Sequence, residues 1–398
     1  MSELPPLAMP APSPDGLLDA VRALPDASPL LAALPEEPLY LVGGAVRDLL
    51  LGRAPRELDL LTEGDPATVA SRLGGDVKAY DRFGTCTVAL DGRSYDIARA
   101  RTERYPRPGA LPDVTPATVS EDLPRRDFSV NAIALGLHDG ALVSVPGAVD
   151  DVHAGLLRVL HDRSFIDDPT RLLRLARYAA RLGFEVEPGT RALARSAVAA
   201  GALATVSGPR VGNELRLLAR EEDPVGGLVM LAGLEVSPSV ADRDVVDRAL
   251  RLLPRDGRRD LLVLGMGFRE GGAQGLAGLG FVASDRDVIA SVAGDAEALA
   301  ARLRAAGRPS EIARAVGGRG VEVVAAAGAL GAEAPAREWL ERLRHVRLEI
   351  TGEDLLRAGI APGPAIGAGL RAALEEKLDG YAPDRATELG VALHQARA

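Results

Sequence analysis

The chain has 398 residues, of which 47% are hydrophobic, 26% are charged and only 3% are aromatic. At roughly 100–200 residues per domain this is a globular protein of two to four domains, with a core built mainly from alanine, leucine and valine. The net charge of −9 argues mildly against a nucleic-acid binder, although a local basic patch is compatible with it. The single cysteine, Cys86, excludes an internal disulfide and a multi-cysteine zinc site.

Two features of the sequence bear on the cellular compartment. The first sixteen residues are rich in proline and lack the basic start and apolar run of a signal peptide. No uninterrupted apolar stretch reaches the roughly eighteen residues that a membrane span needs. We therefore expect a cytoplasmic protein without a membrane partner.

The first part of the chain alternates strand and helix signals. The apolar spacing predicts a helix over 16–34, and residues 36–150 are predicted to form a small α/β unit. The expected elements of this unit are a strand at 39–42, a helix at 45–51, a strand at 57–61, a helix at 65–73 capped by Asp65, and a hairpin of 86–90 with 94–98 around Asp91-Gly92.

Strand signals fade after about residue 153. Helical periodicity covers 168–183, 189–200 and 207–220, and residues 225–345 are rich in alanine, leucine, glycine and arginine. Turn signals in that stretch are Pro238, Gly271-Gly272 and Gly317-Gly318. From about 346 the composition changes again, with Thr351-Gly352 before a short helix and a Gly/Pro-rich segment at 359–364 before a last long helix.

A glycine pair stands at the end of the first predicted strand. Gly43 and Gly44 let backbone amides approach an anion without a Cβ in the way, and the helix that follows adds its positive dipole end. Arg47, in the first turn of that helix, adds a cation. The pattern predicts a triphosphate cradle.

Two carboxylates follow on the next predicted strand. Glu57 and Asp59 are separated by one residue, so a strand places both on one face. Two Mg²⁺ ions need such oxygen ligands together with substrate phosphates, and Asp96 is the candidate for a third carboxylate. A lone Gly-Gly is usually a turn and a lone acid-x-acid usually a solvated face, but their combination at this spacing favours a site.

The segment LVGGAVRDLLLG followed by ELDLLTEGD resembles the head of the class II tRNA nucleotidyltransferase and bacterial poly(A) polymerase family, in the polymerase-β-like superfamily. Further similar segments follow in order: RFGT at 82–85, DIARARTERY at 96–105, PGALP at 108–112 and EDLPRRDFSVNA at 121–132. The last run is the most specific. The family pattern has an aspartate where this chain has Glu57, which implies shifted metal placement or lowered activity.

The resemblance also implies how the nucleotide is bound. The family's E-D-x-x-R stretch, whose Asp and Arg bond the Watson–Crick edge of the incoming C or A, corresponds to Asp168 and Arg171, with Asp167 in place of the Glu. A carboxylate accepts from the exocyclic amine that both bases carry. Arg126 joins Gly43, Gly44 and Arg47 as a triphosphate ligand. The expected nucleotide-binding residues are Asp48, Arg125, Asp127, Asn131, Asp168, Arg171, Arg174 and Arg177. By itself, the three-residue spacing of the last three arginines indicates only a solvated helix face.

The final segment, ITGEDLLRAGIAPGPAIGAGLRAALEEKLDG, is similar to the family's tail and places Gly359, Gly363 and Gly367 around a helix start. Amides at such a start can bind an RNA phosphate. Locally, an ordinary helix–helix turn explains the same residues, and the resemblance favours RNA contact.

The resemblance implies an α+β protein, with a polymerase-β-like head of mixed sheet and helices followed by an all-helical neck, body and tail. The expected parts are an N-terminal arm and helix at 1–35, the head at 36–152, a base-selecting neck at 153–225, a helical body at 226–345 and an RNA-binding tail at 346–398.

The implied activity is template-independent addition of CMP, AMP or both from CTP and ATP to the 3′ end of tRNA, with two Mg²⁺ ions and release of pyrophosphate. Complete CCA addition, the CC part alone and the A part alone stay open. Two alternatives remain: a poly(A) polymerase, and a weakly active or non-catalytic RNA-binding relative, which Glu57 permits.

Overall fold

The computed structural model describes residues 16–34, 36–80, 84–236, 242–267 and 278–398. The predicted N-terminal arm, Arg82 and Phe83, and the turns at Pro238 and Gly271-Gly272 lie outside the described residues. The chain divides into two compact units, Met1–Val211 with Gly233–Val236 and Gly212–Ala232 with Ser237–Ala398. The finer division into arm, head, neck, body and tail stays a prediction.

The first unit is built on a mixed seven-stranded sheet. Its strands are β1 (Leu39–Val42), β2 (Asp59–Thr62), β3 (Asp76–Tyr80), β4 (Thr85–Leu90), β5 (Arg93–Arg99), β8 (Ile133–Gly136) and β9 (Leu142–Ser144). Their order is β3-β4-β5-β2-β1-β8-β9, and the pair β2–β5 is parallel whereas the other neighbours are antiparallel. Strands β6 (Arg101–Arg104) and β7 (Asp113–Pro116) form a separate antiparallel pair.

Apolar burial and turn chemistry explain these strands. All four residues of β8 are buried, and β1 is buried except for a half-exposed Tyr40, so these two strands occupy the middle of the core. The predicted hairpin is confirmed: Asp91 and Gly92 both have positive φ, at 49° and 76°, as a two-residue hairpin turn requires.

The first unit also contains helices. In the first unit they are α1 (Leu17–Arg22), α2 (Ser28–Ala32), α3 (Gly44–Leu50), α4 (Pro66–Leu73), α5 (Val119–Asp122), α6 (Ala148–Ala154), α7 (Ser164–Asp167), α8 (Thr170–Leu182), α9 (Pro188–Ala199) and the start of α10 (Gly208–Arg220). The predicted cap of α4 is confirmed, since the Asp65 side chain accepts a hydrogen bond from the Thr68 amide at 3.1 Å.

The described part of the second unit consists of helices. Besides the end of α10 they are Pro224–Gly233, Arg243–Leu252, Arg259–Gly267, Ala283–Ala305, Pro309–Val316, Val321–Ala327, Glu333–Glu341, Gly352–Arg357, Pro364–Leu378 and Arg385–Arg397. The predicted turn at Gly317-Gly318 is confirmed by positive φ at both glycines. A mixed sheet followed by helices confirms the predicted α+β class. Within the described ranges, no helix combines the length and the apolar character needed to cross a bilayer.

Three predicted elements differ from the structure. The helix expected over 16–34 is two helices, because the residue before Pro25 disfavours helical backbone. The second strand begins at Asp59 and not at Glu57, because β1 ends at Val42, where Gly43 turns the chain with φ 67°. The tail does not end in one long helix: after Gly380, with φ 88°, Asp384 caps a further one.

Candidate active site

A cavity of about 380 Å³ opens in the first unit. Its lining residues are Gly43, Gly44, Asp59, Arg101, Glu103, Tyr105, Leu111, Pro112, Arg125, Arg126, Asp127, Asn131, Asp168, Arg171, Arg174, Tyr178 and Arg210. Six arginines face four carboxylates, so the lining carries excess positive charge in a chain whose net charge is −9. This local excess suits an anionic ligand.

The predicted carboxylates form the acidic side of the site, which we call the carboxylate edge (Glu57, Asp59 and Asp96). Asp59 and Asp96 are register partners on the parallel strands β2 and β5. Only Asp59 lines the cavity; Asp96 accepts a hydrogen bond from the Thr87 hydroxyl at 2.5 Å. Glu57 lies just before β2 and is exposed.

The charges of the other two carboxylates act on Asp59. Although Asp59 is exposed to solvent, partial desolvation by the surrounding protein raises its pKa, the charges of Glu57 and Asp96 raise it further, and Arg126 opposes the shift. Such mutual repulsion is what a bound cation relieves.

The donor chemistry of the carboxylate edge fits a hard divalent cation, because all its donors are carboxylate oxygens and their charges are incompletely neutralised. Among the described residues, no group of three or more His, Cys, Asp or Glu side chains is arranged to hold a metal ion by itself. Cations such as Mg²⁺ are commonly bound by one or two carboxylates together with substrate phosphates. Asp59 and Asp96, as register partners on neighbouring strands, are the carboxylates that could contribute to such a set.

The glycine turn lies beside the carboxylate edge. Gly43 has φ 67°, and a Cβ there would be 3.2 Å from Arg126 Nη1. The Gly43 amide already donates to the Ile133 carbonyl at 2.9 Å, so this amide is not free for an anion. Gly44 begins α3 and lines the cavity, and a Cβ on it would be 3.3 Å from Arg47 Nη2. The turn therefore requires glycine for its backbone and for arginine packing.

The cavity is also lined by the arginine wall (Arg125, Arg126, Arg171, Arg174 and Arg210), and the buried acids Asp122 and Asp127 hold three of these arginines in place. Asp122 is fully buried and accepts hydrogen bonds from Arg125 at 2.7 and 2.9 Å and from Arg126 at 3.1 Å. Glu103 accepts a second bond from Arg125 at 2.8 Å. Two neighbouring guanidinium groups are thus fixed at the cavity before any anion arrives.

Asp127 links helix α8 to the segment that precedes β8. It accepts two hydrogen bonds from Arg174, at 2.6 and 2.9 Å, and one from Asn131 at 3.0 Å. Burial would raise the pKa of Asp127, but Arg174 and Asn131 outweigh it and hold the pKa below its usual range. Asp127 therefore stays ionised and fastened to Arg174.

The predicted base-selecting pair lies at the start of α8. Asp168 accepts hydrogen bonds from the Thr170 hydroxyl at 2.7 Å and from Arg210 at 2.8 Å. Arg171 donates to the Ser164 hydroxyl and to the Arg125 carbonyl, both at 2.6 Å. Both side chains line the cavity and both are oriented by the protein.

Three residues predicted to bind the nucleotide or its triphosphate, Arg47, Asp48 and Arg177, do not line the cavity. Arg47 is 1% exposed and donates to Asp48 and to Asn131 Oδ1 at 2.6 Å, so it braces the glycine turn from within. Arg177 is buried, with its guanidinium 4.8 Å from the Tyr178 ring centre. The reading of the α8 arginines as a solvated face is wrong, because Arg171 is also buried.

The predicted RNA-binding glycines belong to the second unit. Gly359 has φ 86° and follows Gly352–Arg357, Gly363 caps the helix Pro364–Leu378, and Gly367 lies in its first turn. Their proposed role stays a prediction.

Sequence reasoning missed seven lining residues: Arg101, Glu103, Tyr105, Leu111, Pro112, Tyr178 and Arg210. A signal existed for the first three, because they alternate along β6 and just beyond it and so share one face. Arg210 lies 42 residues from its partner Asp168, and no local pattern links the two.

The sequence and structure resemble known proteins. The model of the poly A polymerase head domain matches residues 39–158. A CC-adding tRNA nucleotidyltransferase of Deinococcus radiodurans is 36% identical over 348 residues, 84% of this chain and 83% of that protein. An A-adding tRNA nucleotidyltransferase of Halalkalibacterium halodurans is 45% identical over 208 residues, 50% of this chain and 49% of that protein. The chain spans about a quarter to a half of the length of the A-adding relatives that it matches.

Solved structures extend the likeness to nearly the whole chain. A CCA-adding enzyme in complex with CTP has a TM-score of 0.79 and 29% identity, over 98% of this chain and 100% of that one. A Thermotoga maritima CCA-adding enzyme complexed with tRNA has a TM-score of 0.72 and 28% identity, over 96% of this chain and 98% of that one. The match to the Deinococcus protein, which covers more than four fifths of both chains, decides the family. This chain belongs to the tRNA nucleotidyltransferase family of the polymerase-β-like superfamily.

Proposed function

We propose that this protein adds nucleotides without a template to the 3′ end of tRNA in the cytoplasm, using CTP, ATP or both. The proposal rests chiefly on the cavity in which Asp59 of the carboxylate edge, the glycine turn and the arginine wall meet. The relatives named above, which add CC, A or CCA, support the same activity.

In the proposed reaction the tRNA 3′-hydroxyl oxygen attacks the α-phosphorus of the nucleotide. A new phosphorus–oxygen bond forms, the bond from the α-phosphorus to the bridging oxygen breaks, pyrophosphate leaves, and the hydroxyl proton is released to water. Arg126 and Arg125, fixed by Asp122, neutralise the triphosphate charge. Gly43 and Gly44 keep Cβ atoms out of its way.

Asp59 and Asp96 would hold divalent cations, with Glu57 at the margin of the site. When bound, such cations lower the pKa of the attacking hydroxyl and stabilise the charge that develops on the phosphates. That the cation is Mg²⁺ and that two ions are used is part of the proposal.

The base would be selected by Asp168 and Arg171. Asp168 accepts from the exocyclic amine of cytosine or adenine, and Arg171 donates to a ring nitrogen or to the cytosine carbonyl. Uracil and guanine present the wrong pattern, and each unpaired polar group costs about 1–3 kcal/mol. Asp127, Asn131 and Arg174 keep this reading surface attached to the head.

The second unit would hold the tRNA, by shape and phosphate contacts. The amides at the start of Pro364–Leu378, near Gly363 and Gly367, are the proposed phosphate ligands.

The test is incubation with tRNA lacking CCA, lacking CA or lacking only A, each with CTP or ATP and a divalent cation. Addition that stops after the missing nucleotides supports the proposal, and the substrate used reveals which part of CCA is made. Long A tails on any RNA would establish a poly(A) polymerase instead. Absence of incorporation under all conditions would leave the non-catalytic alternative.

A further inference from the structure

Arg210 lines the cavity and has no role in the proposed reaction. It lies in the first turns of α10, and its side chain is 26% exposed. Arg210 Nη1 donates to the Gly109 carbonyl at 2.9 Å, and Nη2 donates to Asp168 Oδ1 at 2.8 Å. One guanidinium thus joins the loop between β6 and β7 to the base-reading carboxylate.

The hydrogen bonds of Asp168 are unevenly distributed over its two oxygens. The Thr170 amide, the Thr170 hydroxyl and Arg210 all donate to Oδ1, at 3.2, 2.7 and 2.8 Å. Within the described residues no donor to Oδ2 is found, so Oδ2 is the oxygen left to accept from a ligand in the cavity. Both Thr170 donors lie at the start of α8, whereas Arg210 lies in α10.

The loop that Arg210 reaches is itself closely fitted. Gly109 has φ 69°, and a Cβ there would be 2.6 Å from the Thr205 carbonyl oxygen. The Gly109 amide donates to the Asp167 carbonyl at 3.2 Å. Since Leu111 and Pro112 of the same loop line the cavity, Arg210 fixes a cavity wall and the base-reading carboxylate together.

We propose that Arg210 is a positioning residue for nucleobase selection: by holding Oδ1 of Asp168 and the Gly109 carbonyl, it presents Oδ2 to the exocyclic amine of the incoming nucleotide. This inference rests on the proposed function, because it assigns base reading to Asp168. Lysine keeps the charge but lacks a planar fork that can satisfy two acceptors at once.

The test compares Arg210→Gln and Arg210→Lys with the unmodified protein. Equilibrium binding of CTP, ATP and UTP gives the preference for bases that carry an exocyclic amine, and inorganic triphosphate reports binding that involves no base. We expect both variants to lose about tenfold or more of that preference, the Lys variant included, with triphosphate affinity unchanged. A merely structural role would weaken all four ligands alike and would overturn the proposal.

Two further variants show whether the effect is specific to Arg210 and whether it acts through Asp168. Arg163→Gln removes a neighbouring arginine–carboxylate pair, Arg163 to Asp167 at 2.9 Å, whose arginine does not line the cavity, and should keep the full preference. Adding Arg210→Gln to Asp168→Asn should cause no further loss, because Arg210 acts through Asp168. A further loss of similar size would contradict the inference.

The same preparations separate this inference from the proposed function. Incorporation into truncated tRNA by the unmodified protein, with an unchanged base preference in Arg210→Gln, would overturn the inference alone. Base preference lost in Arg210→Gln, but no incorporation by the unmodified protein, would overturn the proposed function alone. An unmodified protein that binds UTP as tightly as CTP and ATP would overturn the inference directly.

Discussion

Asp59 of the carboxylate edge lines the same cavity as the arginine wall, but the edge and the wall are stabilised in opposite ways. The acids that hold the wall, Asp122 and Asp127, are buried and paired with arginines, so the wall is set before a ligand binds. At the edge, desolvation and then the like charges of Glu57 and Asp96 raise the pKa of Asp59. Under the proposed function, the wall is a preorganised selecting surface and the edge is a reacting surface that cations complete.

We expect the largest effect from removing the carboxylate charge of Asp59 at the carboxylate edge. We expect Asp59→Asn to lower nucleotide incorporation by about a thousandfold or more, since losing a cation ligand removes several kcal/mol of transition-state stabilisation. Thermal unfolding should show no loss of stability, because the protein disfavours this charge. Asp91→Asn, in the turn between β4 and β5, is the control and should keep full activity. Substantial incorporation by Asp59→Asn would show that the edge is not the reacting surface.

The second largest effect tests the wall. Asp127→Asn breaks a buried pair with Arg174 and should lower the free energy of unfolding by about 3–5 kcal/mol. Because the folded-state pKa of Asp127 is depressed, this contribution is complete above the unfolded pKa and is lost only as the pH falls below about 4.

Urea unfolding at neutral pH measures this difference. The control is Asp19→Asn, which removes an exposed pair with Arg22 and should cost about 0–1 kcal/mol. If Asp127→Asn unfolds like the unmodified protein, Asp127 is a ligand-binding group and not a structural brace.

The glycine turn (Gly43 and Gly44) lies beside the carboxylate edge and the arginine wall. We expect a smaller effect from a substitution in this turn. Gly43→Ala and Gly74→Ala both place a Cβ at positive φ, at 67° and 78°, and each should cost about 1–2 kcal/mol. Only the Cβ at position 43 would press on Arg126, whereas nothing lies within 4 Å of the one at position 74. Triphosphate affinity should therefore fall in Gly43→Ala alone, and equal affinities would mean that the turn does not position Arg126.

The smallest effect is expected at Glu57. It lies outside β2, in a segment freer to adjust than the strand-borne Asp59 and Asp96. Glu57→Asp should change the rate by less than about tenfold, equivalent to about 1.4 kcal/mol, and should lower the cation concentration for half-maximal rate. A titration with Mg²⁺ measures both. A much larger gain in rate would identify Glu57 as a compromise in the reacting surface.

Local sequence patterns predicted the parts of the site that depend on local geometry. Gly43 was predictable because a tight strand-to-helix turn needs positive φ, and the closeness of Asp59 and Asp96 followed from strand spacing and family resemblance. The strand boundary at Asp59 was not predictable, because it depends on where the neighbouring strand β1 ends.

The connections between distant segments were beyond sequence reasoning. Arg47 has the appearance of a phosphate ligand in the sequence, yet its burial against Asn131, 84 residues away, makes it a brace. Arg210 has no local pattern at all, and its role follows only from the two acceptors that the fold brings to it. Such roles depend on burial and on contacts between distant segments, and the spacing of residues along the sequence reveals neither.

The most direct test of the division between edge and wall is nucleotide binding by the Asp59→Asn variant, measured beside incorporation into tRNA lacking its 3′ CCA. Incorporation should be lost, while the preference for CTP or ATP over UTP should stay as in the unmodified protein. A variant that loses its base preference together with its activity would contradict the separation of reaction from selection.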